Sequence, residues 1–482
     1  MSSHGFSPSR RLVLAGSAAL MTASGAAWAQ PPEAPATSIK HGVSLVRGHR
    51  TPYRVETGET VLRTADGAAG VTMFSVSYID EHAPPATRPV TFIYNGGPGG
   101  ATWPLREAVS PKMIVAAKTA PGYAFANNPD SLMDVSDLVF IDAPGTGYSR
   151  LLTEAGKTEF LGVEEDGRAF STCIERWLDA HGRRRSPKFI LGESYGGIRT
   201  GQIMKVLGAR AQPIHFTGVI LISPAVDPLE HGRTGLSDAA ATLPTQAAVA
   251  HLYGRGAYVR KALEQVAAQA RVFANGPYQA ALDRIGQLTP DERGRLAEQV
   301  SAYIGFPKDA VLAANLAVPE HQFRDELLAD QGQVLGEDGR VHHAPFKPGE
   351  SDLIDVAKGY DLQAAIEGLL TDELGYRPFG RYSRDPTEIG RHWNSKVTSE
   401  PYKLQDILKA ETRARPHFRI FLAGGYYDLI VPYSLPLNSL ESVGLPPRRF
   451  IHRLYPTGHP VLNDAAARPH ATDEIRTFYR AA

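Results

Sequence analysis

The chain has 482 residues, 43% of them hydrophobic and 21% charged, with 51 basic against 51 acidic side chains. That length and apolar content suit an enzyme-sized fold with a sizeable core. The zero net charge gives no reason to expect nucleic acid or an anionic membrane as a partner, and the single cysteine, Cys173, excludes an intramolecular disulfide.

The first element is a leader. Arg10-Arg11 opens an apolar, small-residue run that ends at Ala27-Trp28-Ala29, a small-x-small cleavage pattern. Residues 1–29 are therefore expected to be a twin-arginine export signal, with a periplasmic or secreted destination. Gly16, Ser17, Thr22, Ser24 and Gly25 interrupt the run, which argues against a retained membrane anchor. No stable membrane insertion is expected once the signal is removed.

Residues 30–50 are rich in Pro, Ala and Thr and are expected to be loose. From Tyr53 to Asp80 the alternating pattern around Ala65-Asp66-Gly67 predicts an antiparallel hairpin. Short apolar runs follow: Val90–Tyr94, Leu138–Ile141, Phe189–Leu191, Val219–Ile222 and Ile420–Leu422. Such runs suit strands buried on both faces of a mostly parallel sheet. Helical stretches such as Gly167–Ala180 and Gly197–Leu207 lie between them, so the fold class is α/β. Cys173 falls in the first of these and is expected to be packing. Arg183-Arg184-Arg185 reads as a solvated loop.

The strand ending at Leu191 runs into Gly192-Glu193-Ser194-Tyr195-Gly196, and a helical stretch follows. This is the strand–turn–helix elbow that exposes a nucleophilic serine. A serine hydroxyl needs a base, and the base an orienting carboxylate. In elbow hydrolases these follow in the order Ser, Asp or Glu, His, each after a strand. Asp428 follows the strand at Ile420 and a Gly-Gly turn, and His459 follows the candidate strand Phe450–Tyr455. The glycine-rich Asn95–Gly100, after the strand Val90–Tyr94, leaves backbone N–H groups for an oxyanion. Its partner donor would be the N–H of Tyr195.

Between these parts the pattern changes. Residues 225–415 carry no sheet-like run, and Tyr258–Val272, Pro277–Ile285 and Pro290–Tyr303 read as amphipathic helices. The expected organisation is a hydrolase core at 30–224 and 416–482 around a largely helical insertion at 225–415, acting as a cap. His342-His343, after Asp338-Gly339, reads as a surface turn without the ligand spacing of a metal site.

Asn95–Gly99, Asp142–Ser149, Gly192–Gly197, Tyr426-Tyr427-Asp428 and Gly458-His459 together resemble the serine carboxypeptidase family, in a bacterial-type form. The resemblance implies an α/β-hydrolase fold with a helical insertion and catalysis by Ser194, Asp428 and His459. It implies an oxyanion hole from the N–H groups of Gly97 and Tyr195. It further implies that Asn95 and Glu193 bind the substrate's terminal carboxylate. Glu107 stands one residue off the place of a second glutamate. Gly100, Pro460 and Ile93 depart from a cysteine, an apolar residue and a tryptophan found in other members. The expected activity is release of C-terminal residues from peptides, with no metal or organic cofactor. An esterase or acyltransferase on a small acyl group is the alternative, and a silent binding protein on the same scaffold is a third reading.

Overall fold

The computed structural model describes residues 37–117, 122–228, 236–345, 360–378, 380–384 and 387–481; the expected export signal lies outside them. Among the described residues, nine strands make up the main path of the large sheet: β1 (Thr37–Val46), β2 (His49–Arg63), β3 (Ala69–Ile79), β4 (Val90–Tyr94), β5 (Asp137–Ile141), β6 (Lys188–Glu193), β7 (Gly218–Ile222), β8 (Arg419–Gly425) and β9 (Phe450–Tyr455). They form one sheet in the order β1-β2-β3-β5-β4-β6-β7-β8-β9, and the short strand Arg150–Leu151 joins its β3 flank. From β5 to β9 every pairing is parallel. The three N-terminal strands are antiparallel, and the expected hairpin is β2–β3.

The apolar runs are strands for the reason the sequence suggests. Every residue of β4, β5, β6 and β7 is buried. Alternate side chains serve opposite faces. Ile93, Leu191, Ile220 and Phe421 pack with Leu105, Ile475 and Phe478 of the helices Trp103–Val109 and Ala467–Ala481. Phe92, Ile190, Val219 and Ile420 pack with Phe170, Ile174 and Ile203 of the helices Val163–Ala180 and Gly196–Gly208. Helices on both faces of a mostly parallel sheet make this an α/β fold, as the sequence predicts.

Between β7 and β8 lie helices, among them Leu236–Leu252, Leu263–Phe273, Pro290–Ile304 and Leu404–Ala414. The start of Pro290–Ile304 carries a reciprocal capping box, Thr289 with Glu292, and its end is Gly305 at φ 74°. Two expected helices differ. The first begins at Leu263 rather than Tyr258, and the second is a π-turn, Ala274–Tyr278, followed by the single turn Gln279–Leu282. Pro277 inside that stretch removes a backbone donor and accounts for the wider turn.

Three expectations are corrected. Much of the stretch read as loose, residues 30–50, is strand β1, paired with β2 along its whole length. Its side chains are mostly exposed, so a backbone ladder rather than apolar burial holds it. Arg183 is not solvated: it is buried, donating to Asp137 at 2.5 Å and to the Arg88 carbonyl at 2.8 Å. His342-His343 is a short strand paired with Val334–Leu335 rather than a free turn. Cys173 is buried, and burial pushes its thiol up to about 11, as packing requires.

Candidate active site

β6 ends at Glu193, and the helix Gly196–Gly208 begins three residues later. Between them Ser194 adopts φ 60°, a left-handed conformation that costs a non-glycine residue about 1 kcal/mol or more. Its N–H donates to Ile222 O at 3.0 Å, and its carbonyl accepts from Gly197 N and Ala225 N, both at 2.9 Å. The strain is thus held in place by β7 and the first helical turn.

The loops after β8 and β9 bring the other two expected residues together. The His459 Nδ1 and Asp428 Oδ2 lie 2.8 Å apart. Asp428 is fully buried, and its Oδ1 accepts from Ile430 N at 3.0 Å and Val431 N at 2.8 Å. These bonds fix the carboxylate and leave Oδ2 for the imidazole. Burial alone would lower the His459 pKa, but Asp428, with Glu193 and Glu337, outweighs it and raises the value. Ser223 joins the two halves. Its N–H donates to Ala423 O at 2.7 Å, and its Oγ donates to the His459 carbonyl at 2.9 Å.

The Asn95–Gly100 turn lies directly on the elbow. A methyl group at Gly96 would come within 2.4 Å of Tyr195 N, so only glycine permits this approach. Gly97 follows at φ 108°. The approach sets the expected oxyanion pair, Gly97 and Tyr195, on adjoining backbone segments. Asn95 Oδ1 accepts from Gly96 N at 2.6 Å, which orients the amide.

Glu193 is buried, and its Oε2 has no hydrogen-bond partner among the described residues. Loss of water pushes its carboxyl up to about 7; His459 pulls it down and Asp428 pushes it further up. Glu107 is also buried, in the helix Trp103–Val109, and its charge acts on the phenol of Tyr360.

Two further features were not visible in the sequence. Arg199, one turn into the elbow helix, is fully buried against Asp166, with Nε 2.6 Å from Oδ2. It also donates to the Asn95 carbonyl and stacks 4.4 Å over Phe170. In the Asp142–Ser149 block, buried Asp142 accepts from Thr102 N at 2.9 Å and Tyr382 Oη at 3.0 Å. That block therefore anchors the helix that leaves the glycine turn. An Arg four residues after an elbow tyrosine gives no local sign of turning inward.

Among the described residues, no group of three or more His, Cys, Asp or Glu side chains could hold a metal ion, and no helix is long and apolar enough to cross a membrane.

The serine carboxypeptidase family matches residues 62–262, which hold the glycine turn and Ser194 but end before Asp428 and His459. Among solved structures the chain is similar to Kex1Δp, a prohormone-processing carboxypeptidase from Saccharomyces cerevisiae. The two are 15% identical over 89% of this chain and 91% of that one, with a TM-score of 0.55. A putative aryl esterase from Burkholderia cenocepacia is 13% identical over 88% of this chain and 98% of its own, with a TM-score of 0.39. No curated protein sequence matches the chain. Over residues 62–262 the chain is similar to the serine carboxypeptidase family of hydrolases, and the α/β-hydrolase fold around that stretch agrees with the likeness.

Proposed function

We propose that this chain is an exported carboxypeptidase in which Ser194, His459 and Asp428 act as one unit. His459 takes the Ser194 proton as the hydroxyl attacks the last peptide carbonyl. Asp428 holds the imidazole in the right tautomer and stabilises the imidazolium. The N–H groups of Gly97 and Tyr195 receive the oxyanion. His459 then protonates the leaving amine, and water resolves the acyl-enzyme by the reverse route.

The observation that carries the reading is Glu193. A buried carboxyl with an unpartnered oxygen, one residue before the nucleophile, is costly unless it meets a ligand. A carboxylic acid held protonated to about pH 7 donates to a carboxylate, and the Asn95 amide would donate beside it. The helices Leu236–Leu252, Leu263–Phe273 and Pro290–Ile304, which share a separate apolar body, form the cap that shapes the pocket, and the leader delivers the enzyme to the periplasm or medium.

The test is mass spectrometry of a peptide mixture incubated with the purified protein. Stepwise loss of single C-terminal residues is expected, and Ser194→Ala is expected to lose it by roughly 10⁴-fold or more. Full activity in Ser194→Ala would overturn the reading. Export is tested separately. N-terminal sequencing of the protein from outside the cytoplasm should begin at Gln30, and Lys at positions 10 and 11 should retain the uncut chain inside.

A further inference from the structure

A hairpin crosses from the insertion to the site. Val334–Leu335 pairs antiparallel with His342–His343, and Gly336 N donates to Val341 O at 2.8 Å. Its tip does not project into solvent. Asp338 forms an antiparallel bridge to Asp428. Gly339 N donates to Tyr427 O at 2.9 Å, and Leu429 N donates to Glu337 O at 3.1 Å. The backbone is thus gripped on both sides of the acid. The Asp338 side chain lies against Gly458, where a methyl group would come within 2.5 Å of Oδ2. The same carboxylate therefore touches the residue before His459.

Arg340 holds that carboxylate. Its Nε lies 3.0 Å from Asp338 Oδ1 and its Nη2 lies 2.6 Å from Oδ2. Its Nη1 donates to Asp464 Oδ2 at 2.7 Å and to Pro456 O at 3.4 Å. Pro456 and Asp464 stand on either side of His459 in the chain. Asp464 Oδ1 also accepts from Ala466 N at 2.9 Å and Ala467 N at 2.8 Å, at the start of the helix Ala467–Ala481. One guanidinium therefore ties the hairpin tip to both ends of the histidine loop, while the tip's backbone grips the acid loop.

We propose that Arg340, acting through Asp338, is a positioning residue that sets the acid loop against the histidine loop and so aligns His459 with Asp428. The proposal rests on the reading of Ser194, His459 and Asp428 as the reacting groups. Arg340 touches none of them, and its part is geometric. A misplacement near 1 Å at such a pair lowers rates by about 10²-fold. Lysine supplies the charge but not the planar fork, so it restores only part of the alignment.

The experiment measures kcat, KM and the rate of fluorophosphonate labelling at Ser194 in the wild-type chain, Arg340→Met, Arg340→Lys and Asp464→Asn. Arg340→Met is expected to lower kcat and labelling together by roughly 10- to 100-fold, with KM within about twofold. Arg340→Lys is expected to fall between it and wild type. The low-field Nδ1 proton of His459, read by NMR, should weaken in Arg340→Met. Wild-type kcat and labelling in folded Arg340→Met would overturn the proposal. Equal losses in the Met and Lys variants that follow a lowered melting temperature would also overturn it, since the role would then be stability alone. If Arg340→Met does not fold, Asp464→Asn decides. Asparagine keeps an oxygen for Ala466 and Ala467 but loses the charge facing Arg340, so slower labelling supports the proposal and an unchanged rate overturns it. A wild-type chain that takes no label at Ser194 overturns the underlying reading; a labelled wild type with an unaffected Arg340→Met overturns this proposal alone.

Discussion

Glu193 ends a strand buried along its whole length, so its carboxyl meets almost no water and is pushed up to about 7. Only the protonated acid can donate to a substrate carboxylate. Below that pH the donor is present, and above it the donor is lost about tenfold per pH unit. The protonation of His459 affects every substrate alike and cancels in a ratio. For a blocked dipeptide against its C-terminal amide, the kcat/KM ratio is therefore expected to fall as pH rises through about 7. Glu193→Gln donates at any pH, so its ratio should be flat. A wild-type ratio that stays level between pH 5 and 9 would remove Glu193 from carboxylate recognition. Arg199 allows a second test at this scale. Arg199→Met strands Asp166, which is fully buried, and should cost about 3–5 kcal/mol by denaturant unfolding. Adding Asp166→Leu should restore most of that stability. It should not restore the rate, because the Asn95 carbonyl still lacks its donor.

Elements are positioned here by buried charge as much as by apolar runs. Arg183 leads into β6 and meets Asp137 at the start of β5, where Asp137 also accepts from Arg88 Nε at 3.2 Å and Asp80 N at 3.0 Å. Arg183→Met should cost about 3 kcal/mol, since Asp137 is fully buried and keeps only part of its compensation. Its exposed neighbour is the control: Arg185→Ala should stay within about 0.5 kcal/mol. Equal melting temperatures for the two variants would restore the solvated-loop reading of the whole triplet. In the sequence the three arginines are alike. Which one turns inward depends on a carboxylate 46 residues away in the chain.

Among the described residues, the largest apolar bodies lie on the two sheet faces and in the insertion. That third body includes Ala267, Val300 and Phe323 from the helices, and Tyr426, Tyr427 and Tyr433 from the segment after β8. The loop that carries Asp428 is thus also part of the insertion's core. Tyr433 is buried, with Oη 3.4 Å from the Ala267 carbonyl. Tyr433→Ala should cost about 3–5 kcal/mol, in line with other buried aromatic truncations. Hydrogen exchange should rise in the helices Leu263–Phe273 and Pro290–Ile304 before it rises in β6 and β7. Uniform acceleration across sheet and helices would show that the insertion and the core open as one unit.

The sequence by itself determined the strand runs, the elbow and the order Ser194, Asp428, His459. Each is a local signal: a run of apolar residues that must leave water on both faces, or glycines where the backbone must turn or approach closely. Glu193 was reached only through the resemblance of Gly192–Gly197 and Asn95–Gly99 to the carboxypeptidase motifs. The tertiary structure alone decided β1, whose exposed side chains carry no pattern and which exists by pairing with β2. It alone decided the inward turn of Arg183 and Arg199, and the descent of the Asp338-Gly339 tip onto the acid loop rather than into solvent. Those outcomes depend on partners far along the chain, and a charged or glycine-rich segment looks the same in sequence whether water or a carboxylate awaits it.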